Sequence, residues 1–143
     1  MDEIVGFLWS PCIRLWDTII ERMVDDDILV EYSIFDFQEN VSEYESAILE
    51  IYGTDDISLE KVKNVKINAM KSYPNSFVKF KIKIDPMYRT KRISNKPISR
   101  TVEQIKKTIR SEYKSEVINY IHDTIVHIAD NTEQTIEIEK NMI

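Results

Sequence analysis

"FVKFKIKID", residues 77–85, alternates apolar Val78, Phe80, Ile82 and Ile84 with Lys79, Lys81 and Lys83. A period of two sends the two sets to opposite faces of a β-strand, one buried and one cationic. The turn-forming "YPNS" at 73–76 marks where that strand begins. Upstream, "EIVGFLW" (3–9) is an unbroken apolar run of β-branched and aromatic residues, the pattern of a buried first strand. Ser10 and Pro11 then suit an N-cap and a first helical position. They open a helix whose apolar Ile13, Trp16, Ile19, Ile20, Met23 and Val24 recur at three and four, with Arg14, Asp17, Glu21 and Arg22 opposite.

"ILVEYSIFDF" (28–37) reads as a second strand with Ile28, Val30, Tyr32 and Ile34 on one face. "SEYESAILEIY" (42–52) reads as a helix opened by Ser42 and Glu45 in capping-box spacing, and "SLEKVKNVKINAM" (58–70) as another. After the Lys-faced strand, a loop with Pro86 and Pro97 leads to the mostly helical "TVEQIKKTIRSEYKSEVINYIHD" (101–123). "TIVHI" (124–128) is the last strand, and Asp130 with Glu133 can cap a terminal helix, although "TIEIE" (135–139) also alternates as a strand does. The order β, α, β, α, α, β, α, β, α implies an α+β fold in one domain, residues 1–143. Its kernel is a ferredoxin-like βαββαβ arrangement, a mainly antiparallel sheet covered by helices.

Composition narrows the function classes. With 43% apolar and 31% charged residues, the 143-residue chain is that of a globular protein. Two glycines exclude long Gly-rich phosphate loops. No apolar run approaches the roughly 18 residues of a membrane span. The N-terminus lacks the basic region of a secretory signal, and a lone Cys12 suits a reducing, cytoplasmic setting. Cys12 itself sits at a helix start, which admits a lowered thiol pKa or simple burial. Net charge is −6, yet residues 79–114 hold twelve Lys or Arg against Asp85, Glu103 and Glu112. Either this is a local anion-attracting surface, or these bases pair with the acidic remainder of the chain.

The chain has two histidines, and His127 lies inside the last strand, followed at once by Asp130 and Asn131. An imidazole titrates near 6.5, so it is a nucleophile near neutral pH without a strong base beside it. A metal site from His122, Asp123 and His127 with Asp130 and Glu133 is the weaker alternative, because a helix-to-strand boundary would point 122 and 127 differently. A Lys-faced strand with Phe77, Phe80, Tyr88 and Tyr113 nearby allows RNA binding. Phe80 on the buried face and the acidic net charge argue against it.

"TIRSEY … IVHIADNTEQ" resembles the active-site end of nucleoside diphosphate kinases, where a T-I-R-G-D-F segment precedes an H-G-S-D-S segment on the last strand. Thr108, Ile109 and Arg110 match the first motif, and His127 and Asp130 match the second. "GFLWSPC" and "NSFVKFKI" fall where the family has its first and central strands, so the likeness runs nearly the length of the chain. It implies that His127 is the phosphate-accepting nucleophile and that Arg110, Arg92, Lys91 and Lys96 contact phosphates. Ser99 stands for a phosphate-contacting hydroxyl, and Thr124 and Asp130 support the nucleophile. The family's lysine at the first turn aligns with Ser10, its asparagine before the histidine with Thr124, and its serine two beyond the histidine with Ala129. The resemblance thus implies binding of a nucleoside di- or triphosphate with Mg²⁺, and phosphoryl transfer through a phosphohistidine. A homo-oligomer, formed through an edge strand or the first helix, is expected. No metal ligand on the protein and no membrane are expected, and nucleic acid is a disfavoured partner that stays open. The reading from another class is a non-catalytic regulatory or protein-interaction domain on the same fold, and a nucleic-acid-binding module is third.

Overall fold

A computed structural model describes residues 1–53, 58–90, 97–117 and 124–142. Its centre is a four-stranded antiparallel sheet in the order β2-β3-β1-β6, formed by β1 (Asp2–Trp9), β2 (Leu29–Asp36), β3 (Ser76–Ile84) and β6 (Val126–Ile128). β1 and β3 pair from Asp2 opposite Ile84 to Trp9 opposite Phe77, which makes them the inner strands. The helices are α1 (Trp16–Asp25), α2 (Val41–Tyr52), α5 (Arg100–Tyr113) and α6 (Thr132–Asn141). A fifth helical run joins α3 (Leu59–Lys61), a π-helical stretch Val62–Ile67 and α4 (Asn68–Met70). This is the ferredoxin-like kernel, with α1 and α5 as its two crossover helices.

Directly opposed residues in a sheet share a face. One face therefore carries Ile4, Leu8, Val78, Phe80 and Ile82, each 0–1% exposed. Its cover is α1 and α5, which lie side by side and are tied by an Arg22–Glu112 ion pair. Gly6 lies on the same face opposite Phe80, and a Cβ there would come within 2.3 Å of Phe80 Cζ. Only glycine lets the ring lie flat across β1 at this point. The other face carries Val5, Phe7, Trp9, Phe77, Lys79 and Lys81. It is roofed by α2 and α6 through an aromatic cluster in which Trp9 stacks on Tyr52 at 5.8 Å and Phe77 lies 6.3 Å from Tyr44.

That roof changes what the lysine face of β3 means. Glu139 on α6 reaches down to Lys79 at 3.1 Å and Lys81 at 3.0 Å, and Glu31 adds a longer contact to Lys81 at 3.7 Å. Charges beneath a helix need counter-charges because desolvation is costly. These two bases are consequently internal partners rather than an open anion-attracting surface. Lys106 with Asp130 is likewise a largely buried pair, whereas Arg89 with Glu103 is paired at the surface.

Several local details differ from the pattern-based expectations. Ser10 is not a cap: its hydroxyl lies 3.2 Å from that of Tyr44, inside a 3-10 turn (Ser10–Leu15) that precedes α1. Asn40 caps α2 by accepting from the Glu43 amide, in place of the Ser42/Glu45 box. Asn131, one residue beyond Asp130, caps α6 by accepting from the Gln134 amide at 2.8 Å. "TIEIE" is helical; a strand would bury Ile136 and Ile138 together, whereas Ile138 is 1% and Ile136 64% exposed. Within the stretch expected to be loop, β4 (Tyr88–Thr90) and β5 (Pro97–Ser99) pair antiparallel; residues 91–96 between them lie outside the described residues. The Cys12 thiol donates to the Trp9 and Ile125 carbonyls, and burial pushes its pKa up to about 12, so it is a structural residue. No helix among the described residues is long and apolar enough to cross a membrane.

Candidate functional site

β6 is an edge strand, and its ladder phase builds the site. The Trp9 amide donates to the Ile125 carbonyl and the Ala129 amide to that of Val5, so Phe7 opposite His127 is a bonded pair in the same phase. The neighbouring Val126 then turns its carbonyl outward, where no strand follows. Arg110, near the end of α5, donates its Nη2 to that oxygen at 3.1 Å. An edge carbonyl is satisfied, and a guanidinium is pinned beside the next residue in the strand.

That next residue is His127. It shares a face with Phe7, is 5% exposed, and packs its ring against Tyr52 with centroids 4.5 Å apart. Tyr52 ends α2, and the Lys66 ammonium lies 5.3 Å from its ring centroid, within cation–π range. Lys106, one helical turn before Arg110 on α5, is held by Asp130 at 3.8 Å. His127 Nε2 is buried and has no hydrogen-bond partner among the described residues. Burial, first, and then the charges of Lys106, Lys66 and Arg110 hold its pKa well below the usual 6.5. The imidazole is therefore neutral at pH 7, with a buried polar atom whose protonation the charges of Lys106, Lys66 and Arg110 oppose. Such an atom is costly to leave unmatched, and an arrangement of this kind is suited to an anionic group.

The other residues singled out from sequence fall as follows. Asp130 flanks the site through Lys106, and Thr124 is buried at the entry to β6. The Ser99 hydroxyl donates to the Pro86 carbonyl at 2.6 Å and accepts from the Val102 amide at 3.0 Å, so it caps α5 and is not offered to a ligand. Lys91, Arg92 and Lys96 lie outside the described residues, as do His122 and Asp123. Among the described residues, no three His, Cys, Asp or Glu side chains could together hold a metal ion. Tyr52, Lys66 and Lys106 were not singled out by sequence reasoning. Tyr52 had a signal, as an apolar residue at the end of the α2 stripe, but nothing in the spacing of either lysine points to His127.

Antiparallel order β2-β3-β1-β6 with two crossover helices defines a ferredoxin-like α+β fold, and it carries His127 on its last strand. Solved structures similar to the chain include the nucleoside diphosphate kinase of Aquifex aeolicus, with TM-score 0.55 and 13% identity over 99% of this chain and 94% of that one. Another is the kinase of Borrelia burgdorferi, a transition-state mimic with bound vanadate and ADP: TM-score 0.57, 14% identity, 95% and 83% of the two chains. A third is an NDP kinase of Pyrobaculum aerophilum, with TM-score 0.54 and 15% identity over 99% and 95%. No family model and no curated protein matches the sequence.

Proposed function

We propose that the chain is a divergent nucleoside-diphosphate-kinase-like domain that binds a nucleoside di- or triphosphate with its phosphates toward His127. The observation that carries this reading is the buried, unpartnered Nε2 of a neutral imidazole set among Lys66, Lys106 and Arg110. Phosphoryl transfer depends on positioning and on cations around the phosphates more than on acid and base groups. The likeness to a kinase that holds ADP and vanadate supports the same use of the fold. The neutral ring is the nucleophilic form of histidine, so transfer through a phosphohistidine is the further step of this proposal. Mg²⁺ fits as a companion of the nucleotide: the one flanking carboxylate, Asp130, is engaged by Lys106 and no three ligating side chains meet among the described residues, so phosphate oxygens would hold it.

Calorimetry of ADP and ATP with Mg²⁺ tests binding, and incubation with γ-³²P-labelled ATP tests transfer. Nucleotide binding that is lost in His127→Glu, with an acid-labile, alkali-stable label absent from His127→Ala, is the expected result. Binding of neither nucleotide would overturn the reading.

A second reading rests on β2. This edge strand leaves Val30, Tyr32 and Ile34 exposed at 46, 53 and 60%, because it lies beyond the cover of α1 and α5. An exposed apolar edge strand invites pairing, which favours self-association or an interaction module. Sedimentation of the wild type beside Ile34→Lys tests it; a monomer at all concentrations would refute self-association.

A further inference from the structure

The first turn after β1 offers no cation to a phosphate at His127. Ser10 stands there, 0% exposed, with its hydroxyl directed to Tyr44. The arginine on β6's edge and the lysine before it both come from α5, so they approach from one side. A cation from another element is found at Lys66.

Its position follows from the irregular helix that carries it. In an α-helix, residues five apart point about 140° away from each other. Val62 and Ile67 are five apart, yet they are 0% and 3% exposed and both belong to the core. The π-helical turn from Val62 to Ile67 reconciles the two, because its bond closes from i to i+5 and brings such residues back to one side. Lys66 precedes Ile67 and is left at the margin of that buried face, half-buried, with its ammonium over the ring of Tyr52. The same Tyr52 ring touches His127, tilted by 47° with centroids 4.5 Å apart, so one tyrosine contacts both Lys66 and the histidine. π-turns are uncommon and recur at functional sites.

We infer that Lys66, placed by the π-turn and seated on the Tyr52 ring that touches His127, is an anion-binding residue that brings a cation from a separate element, other than the α5 of Arg110 and Lys106, to phosphate oxygens at His127. The inference deepens the phosphate-site reading above and rests on it for the place of the anion. The ligand class is a polyphosphate, which two cations from α5 and one from the π-turn would hold. The depressed basicity of His127 under these same three charges is consistent with their closeness.

The test uses inorganic pyrophosphate as probe and the imidazole nitrogens of ¹⁵N-histidine-labelled protein as readout, the His127 signals being assigned by their loss in His127→Gln. Pyrophosphate is expected to shift the His127 signals in the wild type. Lys66→Gln should weaken binding by about tenfold, the worth of one charge-assisted hydrogen bond. Lys66→Arg should keep most of the affinity, and Lys83→Gln, on an exposed lysine of β3, should leave it unchanged. Lys66→Met retains the aliphatic stem and removes only the charge, so it separates charge loss from misfolding if the Gln variant fails to fold. Pyrophosphate affinity in Lys66→Gln and Lys66→Met equal to that of the wild type would overturn the inference, as would a His127 signal indifferent to pyrophosphate. Lys66-dependent pyrophosphate binding without ADP binding would support the inference while refuting the nucleotide reading; ADP binding untouched by Lys66 would do the reverse.

Discussion

Replacing His127 by Gln should change how stability responds to acid, and the size of that change follows from the burial of the ring. In the folded protein its pKa is held well below 6.5 by burial and by Lys106, Lys66 and Arg110, whereas in the unfolded chain it titrates normally. Below about pH 6.5 the unfolded state therefore binds a proton that the native state refuses, and stability falls as pH falls. The loss continues, at up to about 1.4 kcal/mol per pH unit, until the depressed native pKa is reached. Because the native pKa is held well below 6.5, the loss from this one histidine approaches that slope on acidification below pH 6.5. Carboxylates and the second histidine titrate in both proteins, so they cancel in the difference between wild type and variant. Urea unfolding of both at pH 7, 6 and 5 supplies the curve. The wild type should lose more than His127→Gln over this range, by up to about 2 kcal/mol. A difference that stays constant with pH would show an imidazole that titrates as in water, and would refute its placement among buried groups and cations.

Three further outcomes are expected. Gly6→Ala should destabilise by about 1–3 kcal/mol in chemical denaturation, because the new methyl meets the Phe80 ring; in Gly6→Ala/Phe80→Leu the two costs should fall short of additivity, and strict additivity would contradict the contact. Glu139→Gln leaves Lys79 and Lys81 beneath α6 without their shared carboxylate and should cost on the order of 1–3 kcal/mol in thermal unfolding. Lys79 and Lys81 depress the Glu139 pKa, so this contribution is present above about pH 4.5 and lost as pH falls through the lower folded value; a variant equal to the wild type at pH 7 would show that the pairs contribute nothing. Asn131→Ala removes both the cap of α6 and the Nδ2 donation to the Pro97 carbonyl and should cost about 1–3 kcal/mol; Asn131→Ser, which keeps a cap acceptor but not that donor, should recover about 1 kcal/mol of it, and no recovery would point away from capping.

Elements whose evidence lies within a few residues were legible in the sequence. The alternation of residues 77–85 is β3 as drawn, the apolar run of 3–9 is β1, and the three-and-four spacing from Trp16 to Met23 is the buried stripe of α1. Their order yields the ferredoxin-like kernel. Caps were less legible, because Ser42 or Asp130 satisfies the local rule as well as Asn40 or Asn131 does, and one residue of helix phase decides between them. Ile13 and Val24 extend the α1 stripe in sequence but are 38% and 57% exposed: Ile13 lies in the 3-10 turn, whose tighter period breaks the stripe, and Val24 lies in the last turn of α1.

The sequence by itself therefore determined the strands, most of the helices, their order and the place of His127 on the last strand. It did so because hydrophobic periodicity is a local property that the backbone geometry converts directly into faces. Tertiary structure alone decided which charges meet. The lysines of β3 read as an open cationic face, until α6, about sixty residues away, sets Glu139 between two of them. Likewise Lys66, Tyr52, Lys106 and Arg110 carry no mutual signal along the chain. They become one site around His127 only because sheet order, the ladder phase of β6 and a π-turn bring separate elements to the same edge, and electrostatic neighbours are fixed by distance in space rather than by spacing in sequence.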